Sequence, residues 1–238
     1  MGPNASRRRF RPGTAATLFT AFFLPVLLAL GAWQLERAEY KRTLFDAFSA
    51  GHAPVALSDH PRGLAELPRF SRVHAAGRYL AGRQFLLDNM VEAGRAGYRV
   101  LTPLELDDGR ILVVDRGWVG KDFASAALPD VAVDGAPRRV TGRLDHLPRA
   151  GIDLARNTPT GWPRVVQFPV AGELAEALDA EVVPGLLLLD ADQPDGYRRE
   201  WRAAESGPER HVGYAVQWLA LAVTLVVLYL AWAFRKGD

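Results

Sequence analysis

The chain has 238 residues, a formal net charge of +2 at neutral pH and no cysteine. The missing thiols exclude disulfides, thiolate metal sites, covalent c-type haem attachment and thiol-based copper handling. No basic patch with interleaved aromatics stands out, so nucleic acid is not an expected partner.

Arg7, Arg8, Arg9 and Arg11 precede an uncharged run of 23 residues at 13–35, and Glu36 and Arg37 follow it. At about 1.5 Å per helical residue this length crosses a hydrocarbon core of roughly 30 Å with some tilt. Phe19, Phe22, Phe23, Leu27 and Leu28 make the run apolar. Pro25 at its middle suits a membrane helix, where neighbours satisfy the freed carbonyl. A cleaved signal peptide is the natural rival, with Ala29, Gly31 and Ala32 as a cleavage site, but signal cores run only about 7–15 residues. The Ser-Arg-Arg-Arg-Phe run at 6–10 also resembles a twin-arginine export signal. Length and flanking charge favour an uncleaved anchor.

Residues 36–50 predict a helix continuing out of that span, with Leu44, Phe45 and Phe48 on its apolar side. Residues 51–68 hold three prolines and two histidines and predict a loop. Strands are expected at 72–80 and 84–89, joined by Ala81-Gly82-Arg83 as a hairpin-type turn. Two more are expected at 98–106 and 111–116, joined by Asp107-Asp108-Gly109. Further strands are predicted at 140–147, 165–168 and 186–190, and one short helix at 171–180. The stretch 151–163 is punctuated by Pro and Gly as a loop is. The intervening region, 36–211, has 176 residues, enough for one core of ordinary size.

A second uncharged run of 23 residues, 212–234, ends at Arg235-Lys236. His211 stands at its entrance, with Tyr214 and Trp218 at i+3 and i+7 on the same helical face. One histidine above a sheltering aromatic stripe has the make-up of an axial site for a flat apolar cofactor such as haem. Anchoring in the headgroup region accounts for the same three residues, and both readings stand. The arginines before the first span and Arg235-Lys236 after the second place both termini in the cytoplasm and the region between them outside.

Gln34 closes the first span and Gln217 lies near the start of the second. Buried amides in lipid need partners, so the two spans are expected to pack through this pair or to line a groove jointly. Catalytic constellations are weak. Asp88-Asn89 and Asp115-Arg116 end two apolar strands and are candidates to meet in space, but a strand-end ion pair between Asp115 and Arg116 is the simpler expectation. His52, His60, His74 and His146 lack metal-ligand spacing. Gly94-Arg95-Ala96-Gly97 reads as a turn with two positions of positive φ. No enzyme is expected.

Leu30-Gly31-Ala32-Trp33-Gln34-Leu35-Glu36-Arg37, followed by Lys41, resembles the first-span motif of the Surfeit locus protein 1 family. Leu86-Leu87-Asp88-Asn89 with the 97–104 block resembles the same family, as do 114–119 and Pro194-Asp195-Gly196 with Arg199-Glu200-Trp201. Pro208-Glu209-Arg210-His211 through Gln217-Trp218 is similar to the family's second-span entry. The blocks run in family order across nearly the whole chain. Family members often carry Asn where Asp115 stands, Pro where Gly120 stands, and Arg or Gln at Met90.

The resemblance implies an α+β membrane protein, with two transmembrane helices flanking a β-rich, mostly antiparallel exterior domain with few helices. The expected division is a basic tail at 1–12, spans at 13–35 and 212–234, a periplasmic domain at 36–211 and a tail at 235–238. The resemblance further implies an assembly factor for haem-copper cytochrome c oxidase in the bacterial inner membrane. Such a protein receives haem a from haem A synthase, holds it non-covalently and aids its delivery into oxidase subunit I. His211 is the implied ligand of the haem iron, with Trp218 in the same pocket and Tyr214 and Gln217 completing the site among membrane lipid. Three rivals are carried forward: a scaffold without haem that steadies an oxidase intermediate, a membrane-bound hydrolase using Asp88 and Asp115, and a soluble binder exported by the twin-arginine route.

Overall fold

The computed structural model describes residues 10, 12–125, 127–148, 161–167, 169–203 and 206–234. Most of the twin-arginine-like run, most of the 151–163 loop, Phe168 and the closing Arg235-Lys236 lie outside them. In chain order the elements are α1 (Thr14–Ser49), β1 (Val55–Ala56), β2 (Arg72–Tyr79), β3 (Phe85–Glu92), β4 (Arg95–Leu106), β5 (Ile111–Gly120), β6 (Pro137–Asp145), β7 (Arg164–Val166), α2 (Ala171–Leu178), β8 (Leu186–Leu189) and α3 (Pro208–Ala233). Every strand and helix expected from the sequence is present. The stretch expected as loop at 51–68 also carries β1 and two 3-10 turns, Leu57–Asp59 and Gly63–Ala65. Contacts gather the chain into two compact units, Met1–Asp46 with Ala203–Asp238, and Ala47–Arg202.

The second unit is one eight-stranded sheet ordered β1-β2-β6-β8-β5-β4-β3-β7, and a further pairing of β2 with β4 closes five of its strands into a ring. Most pairings are antiparallel; β1–β2, β3–β7 and β5–β8 are parallel. Closure leaves the ring strands without open edges, and the sheet ends instead in the short β1 and β7, which offer little for stray pairing. Side-chain alternation then builds a core on each face, with a third, smaller cluster around Leu86, Tyr98, Val100 and Val131. Tyr79, Leu104, Leu112, Val114, Leu187 and Leu189 fill one cluster, inside the ring. Their neighbours Leu101, Val113, Leu186 and Leu188 point to the other face and pack with Phe85, Leu87 and Leu174 of α2. Period-two alternation thus serves both faces, which is why β5 and β8 read as continuous apolar runs.

Two turn expectations are corrected. Ala81-Gly82-Arg83 does not make a β2–β3 hairpin. Gly77–Tyr79 of β2 pairs with Leu106–Leu104 of β4, whereas Phe85–Leu87 of β3 pairs with Leu101–Arg99. β4 is 12 residues long, enough for both partners to lie end to end along one of its edges. The turn residues mark a jog, with Gly82 at φ 72° and the Arg83 N–H donating to Leu80 O at 3.2 Å. The left-handed pair expected within 94–97 sits earlier, at Ala93 (φ 49°) and Gly94 (φ 75°), between the paired Glu92 and Arg95. Gly97 belongs to β4, where a Cβ would overlap Val119 O and come within 2.6 Å of Trp118 Cζ2. The Trp118 indole lies across this bare backbone and donates its Nε1–H to Met90 O at 3.2 Å.

The first unit is an antiparallel pair of helices, α3 running beside the membrane-length part of α1. Thr17 Oγ1 and Tyr229 Oη meet at 3.0 Å near one end. Buried positions are Gly31, Gln34 and Ala38 on α1 and Ala215, Ala222 and Ala233 on α3. Gly31 and Ala38 on α1, and Ala215 and Ala222 on α3, are small residues seven apart that let the two helices approach closely, the usual device where lipid removes any hydrophobic drive between them. Both helices are long and apolar enough to cross a membrane, yet only 6% and 11% of their most apolar windows are buried. Leu18, Phe19, Phe22, Leu221, Val223 and Leu228 are exposed, so these are not core helices of a water-soluble fold.

Candidate functional site

α3 opens with Pro208, whose fixed φ and missing N–H suit a first helical position, and Glu209 places an acid in the first turn, where the helix dipole favours it. His211 follows in that same turn and is half-buried. On α1, Gln34 is 9% exposed, one helical turn beyond Gly31. Gly31 faces α3 closely enough that a Cβ would lie 3.2 Å from Leu219 Cδ2 and 3.8 Å from Trp218 Cβ. This approach brings His211 Nδ1 and Gln34 Oε1 to 2.8 Å.

The amide oxygen only accepts, so Nδ1 carries the proton and donates. In the neutral imidazole Nε2 then keeps its lone pair. A histidine oriented by a hydrogen bond at one ring nitrogen and open at the other has the arrangement of a metal-ligating imidazole. A neutral ligand without further charge also suits iron in a porphyrin. The donor therefore fits the implied group. Along the same helix pair, Leu24, Leu28, Leu219, Ala222, Val223 and Val226 line a shallow, almost wholly apolar groove of about 300 Å³.

The expected site residues fall in different settings. Trp218 lies two turns along α3 from His211, partly buried and beside Gly31. Tyr214 is 45% exposed, at the border of the seam. Gln217 is exposed. The expected Gln34–Gln217 partnership is corrected: the Gln34 acceptor is occupied by His211. Six residues separate Gln217 from His211, and at 100° per residue they point well over 90° apart around α3. The seam instead follows 211, 215, 218 and 222; this spacing groups His211 with Trp218, while the rotation of the two helices decides that Gln34 meets His211.

In the β-rich unit, Asp115 and Arg116 do not pair. Neighbours on a strand point to opposite faces. Asp115 is fully buried, with Oδ1 accepting the Gly117 N–H at 3.0 Å and Oδ2 lying 3.0 Å from Arg99 Nε, outside hydrogen-bond alignment. Burial pushes its pKa up to about 6 against the pull of Arg99. The Arg99 guanidinium also stacks on Trp201, 4.3 Å from the ring centre. Asp88 pairs with Lys121 at 3.2 Å, so each candidate carboxylate has its own basic partner. A carboxylate with no exposed surface has no route to a substrate. Among the described residues no group of three or more His, Asp and Glu side chains is placed to hold a metal ion.

Residues 21–223 match the model of the SURF1 family. The chain belongs to the SURF1 family. That family is associated with cytochrome oxidase assembly. A SURF1-like protein of Rickettsia felis is 24% identical over 223 residues, covering 86% of this chain and 91% of the relative. An uncharacterized SURF1-like protein of Mycobacterium tuberculosis is 28% identical over 223 residues, covering 90% and 80%. A SURF1-like protein of Dictyostelium discoideum is 30% identical over a shorter stretch of 112 residues, 42% of each chain. The matched region contains Gln34, His211 and Trp218.

Proposed function

We propose that this SURF1-family chain is a haem-binding assembly factor for cytochrome c oxidase, anchored in the bacterial inner membrane by α1 and α3. The observation that carries the reading is the 2.8 Å hydrogen bond from His211 Nδ1 to Gln34 Oε1, which leaves Nε2 as a ligand at the mouth of an apolar helix pair. Haem a is the cargo, received from haem A synthase and passed non-covalently to oxidase subunit I. One protein ligand suits a carrier, because a single bond to iron is released more readily than a closed cage. Trp218, and Tyr214 at the border, offer aromatic surface beside His211; Gln217 lies further round the helix. The chain performs no covalent chemistry in this role. Both termini face the cytoplasm and the β-rich domain faces the periplasm, in keeping with the arginines at positions 7–9 and 11 and with Arg235-Lys236.

The experiment is purification of the detergent-solubilised protein from cells that make haem a, with extraction and identification of bound pigment, beside His211→Ala. Haem a in the first and none in the second is the expected result. Pigment in both preparations would remove His211 as ligand. Pigment in neither, with oxidase assembly intact in His211→Ala cells, would favour the scaffold, in which the Gln34–His211 bond only clamps the helices.

A further inference from the structure

A second cavity is lined by residues of the β-rich unit alone. It has a volume of about 230 Å³ and is lined by Tyr79, Arg138, Arg139, Val140 and the Gln193-Pro194-Asp195 turn. A water occupies about 30 Å³, so the space exceeds what one bridging water fills. Tyr79 is 2% exposed, and among the described residues its hydroxyl has no hydrogen-bond partner. Burial pushes its pKa up to about 12, which keeps the phenol a protonated donor at neutral pH. Arg138 Nε lies 2.8 Å from Asp195 Oδ2 but out of alignment, so this N–H also lacks an acceptor. Two buried donors on one cavity wall, both unmet, are costly unless something accepts from them.

The charge around the cavity has one sign in excess. Arg116 is buried and gives its hydrogen bonds to neutral oxygens: Asp195 O at 2.7 Å, Val131 O at 3.1 Å and Thr102 Oγ1 at 3.3 Å. Arg199 likewise donates to Asp190 O, Ala191 O and Gln193 O. Both guanidiniums hold the 193–195 turn from behind without spending their charge on a carboxylate. Asp195, held at φ 62°, and Asp134 both pair with Arg138. Arg138 and Arg139 in the wall, with Arg116 and Arg199 behind the turn, thus stand against Asp195 in the wall and the exposed Asp134 and Asp192. We infer that this cavity binds a small oxyanionic group, a carboxylate or a phosphate, that accepts from the Tyr79 hydroxyl and the Arg138 guanidinium. Charge-assisted bonds to both donors would satisfy them and offset the surplus positive charge.

The test is calorimetric titration of the full-length protein in detergent with inorganic phosphate and, separately, with acetate, ionic strength held constant with chloride. Saturable binding of at least one probe is expected. Phosphate alone assigns a phosphoryl group, acetate alone a carboxylate, and both an undiscriminating oxyanion site. Tyr79→Phe removes one donor without removing a native hydrogen bond, and is expected to weaken binding at least about tenfold. Arg138→Gln serves as the second variant, with the same expectation. Absence of saturable binding by either probe to the unmodified protein overturns the inference, as does unchanged affinity in both variants; the cavity then holds water alone.

Discussion

Gln34 and His211, 177 positions apart in the chain, meet through a hydrogen bond of 2.8 Å that joins the two apolar helices. The bond does two jobs at once. It satisfies a buried amide oxygen in a helix pair, and it selects the histidine tautomer with Nε2 open.

Gln34→Leu separates these jobs from the ligand itself. Interhelical polar contacts in lipid average about 0.6 kcal/mol and reach about 1.7 kcal/mol, so the helix pair is expected to survive. Loss of the orienting partner is expected to lower haem affinity by roughly 10–100-fold. Haem titration followed by absorption spectroscopy, with His211 still present, reads that difference. An unaltered affinity would mean that Gln34 does not orient the ligand.

Gly97→Ala places a methyl group into the Trp118 ring and the Val119 carbonyl. Neither is the free end of a flexible side chain, so β4 or the indole must move. The expected cost is about 1–3 kcal/mol, the range for overpacking. Denaturant unfolding followed by tryptophan fluorescence measures it. A neutral outcome would show that the Trp118 ring is free to turn aside.

Asp115 makes stability depend on pH. Its folded pKa is raised to about 6 from an ordinary 3.8, chiefly by burial. For an acid raised in this way, the folded state holds the proton more tightly than the unfolded chain. The stabilising contribution is thus complete below the unfolded value and is lost as pH rises through the folded one. Stability is expected to fall between about pH 4 and pH 7 by an amount on the order of 3 kcal/mol. Asp115→Asn, which cannot titrate, should flatten this stretch of the profile. Melting temperatures of both proteins across that range are the measurement, and parallel profiles would remove Asp115 as the cause.

Leu174 is the buried residue of α2, a helix of only eight residues. A helix so short is not stable by itself and depends on its docked side chain. Leu174→Ala is expected to cost about 2–5 kcal/mol and to release α2 from the face formed by Leu101, Val113 and Leu188. Hydrogen exchange should show the loss of protection in Ala171–Leu178 before the ring strands open. Uniform loss across the unit would mean that α2 and the ring unfold together.

Local pattern by itself determined a good deal. The uncharged runs at 13–35 and 212–234 announced two long apolar helices, because length and missing charge are properties of a segment alone. The Asp107-Asp108-Gly109 turn and the alternating or continuous apolar runs announced β4, β5 and β8 for the same reason. His211 was legible as a candidate from its place at the entrance of an apolar helix beside Trp218.

Partnership was decided only by the tertiary structure. Ala81-Gly82-Arg83 carries the residues of a reversal, yet whether β3 turns back on β2 or continues along β4 depends on a strand that comes later in the chain. Asp115 and Arg116 are covalent neighbours that face opposite sides of a sheet, so their partners, Arg99 for one and the Asp195, Thr102 and Val131 oxygens for the other, are set by the ring's closure. Gln34 could be assigned a need for a partner but not the partner, since that depends on how two helices are rotated about their axes. The Gly31 contact with Leu219 and Trp218 sets that rotation, and His211 is the side chain it brings to the amide.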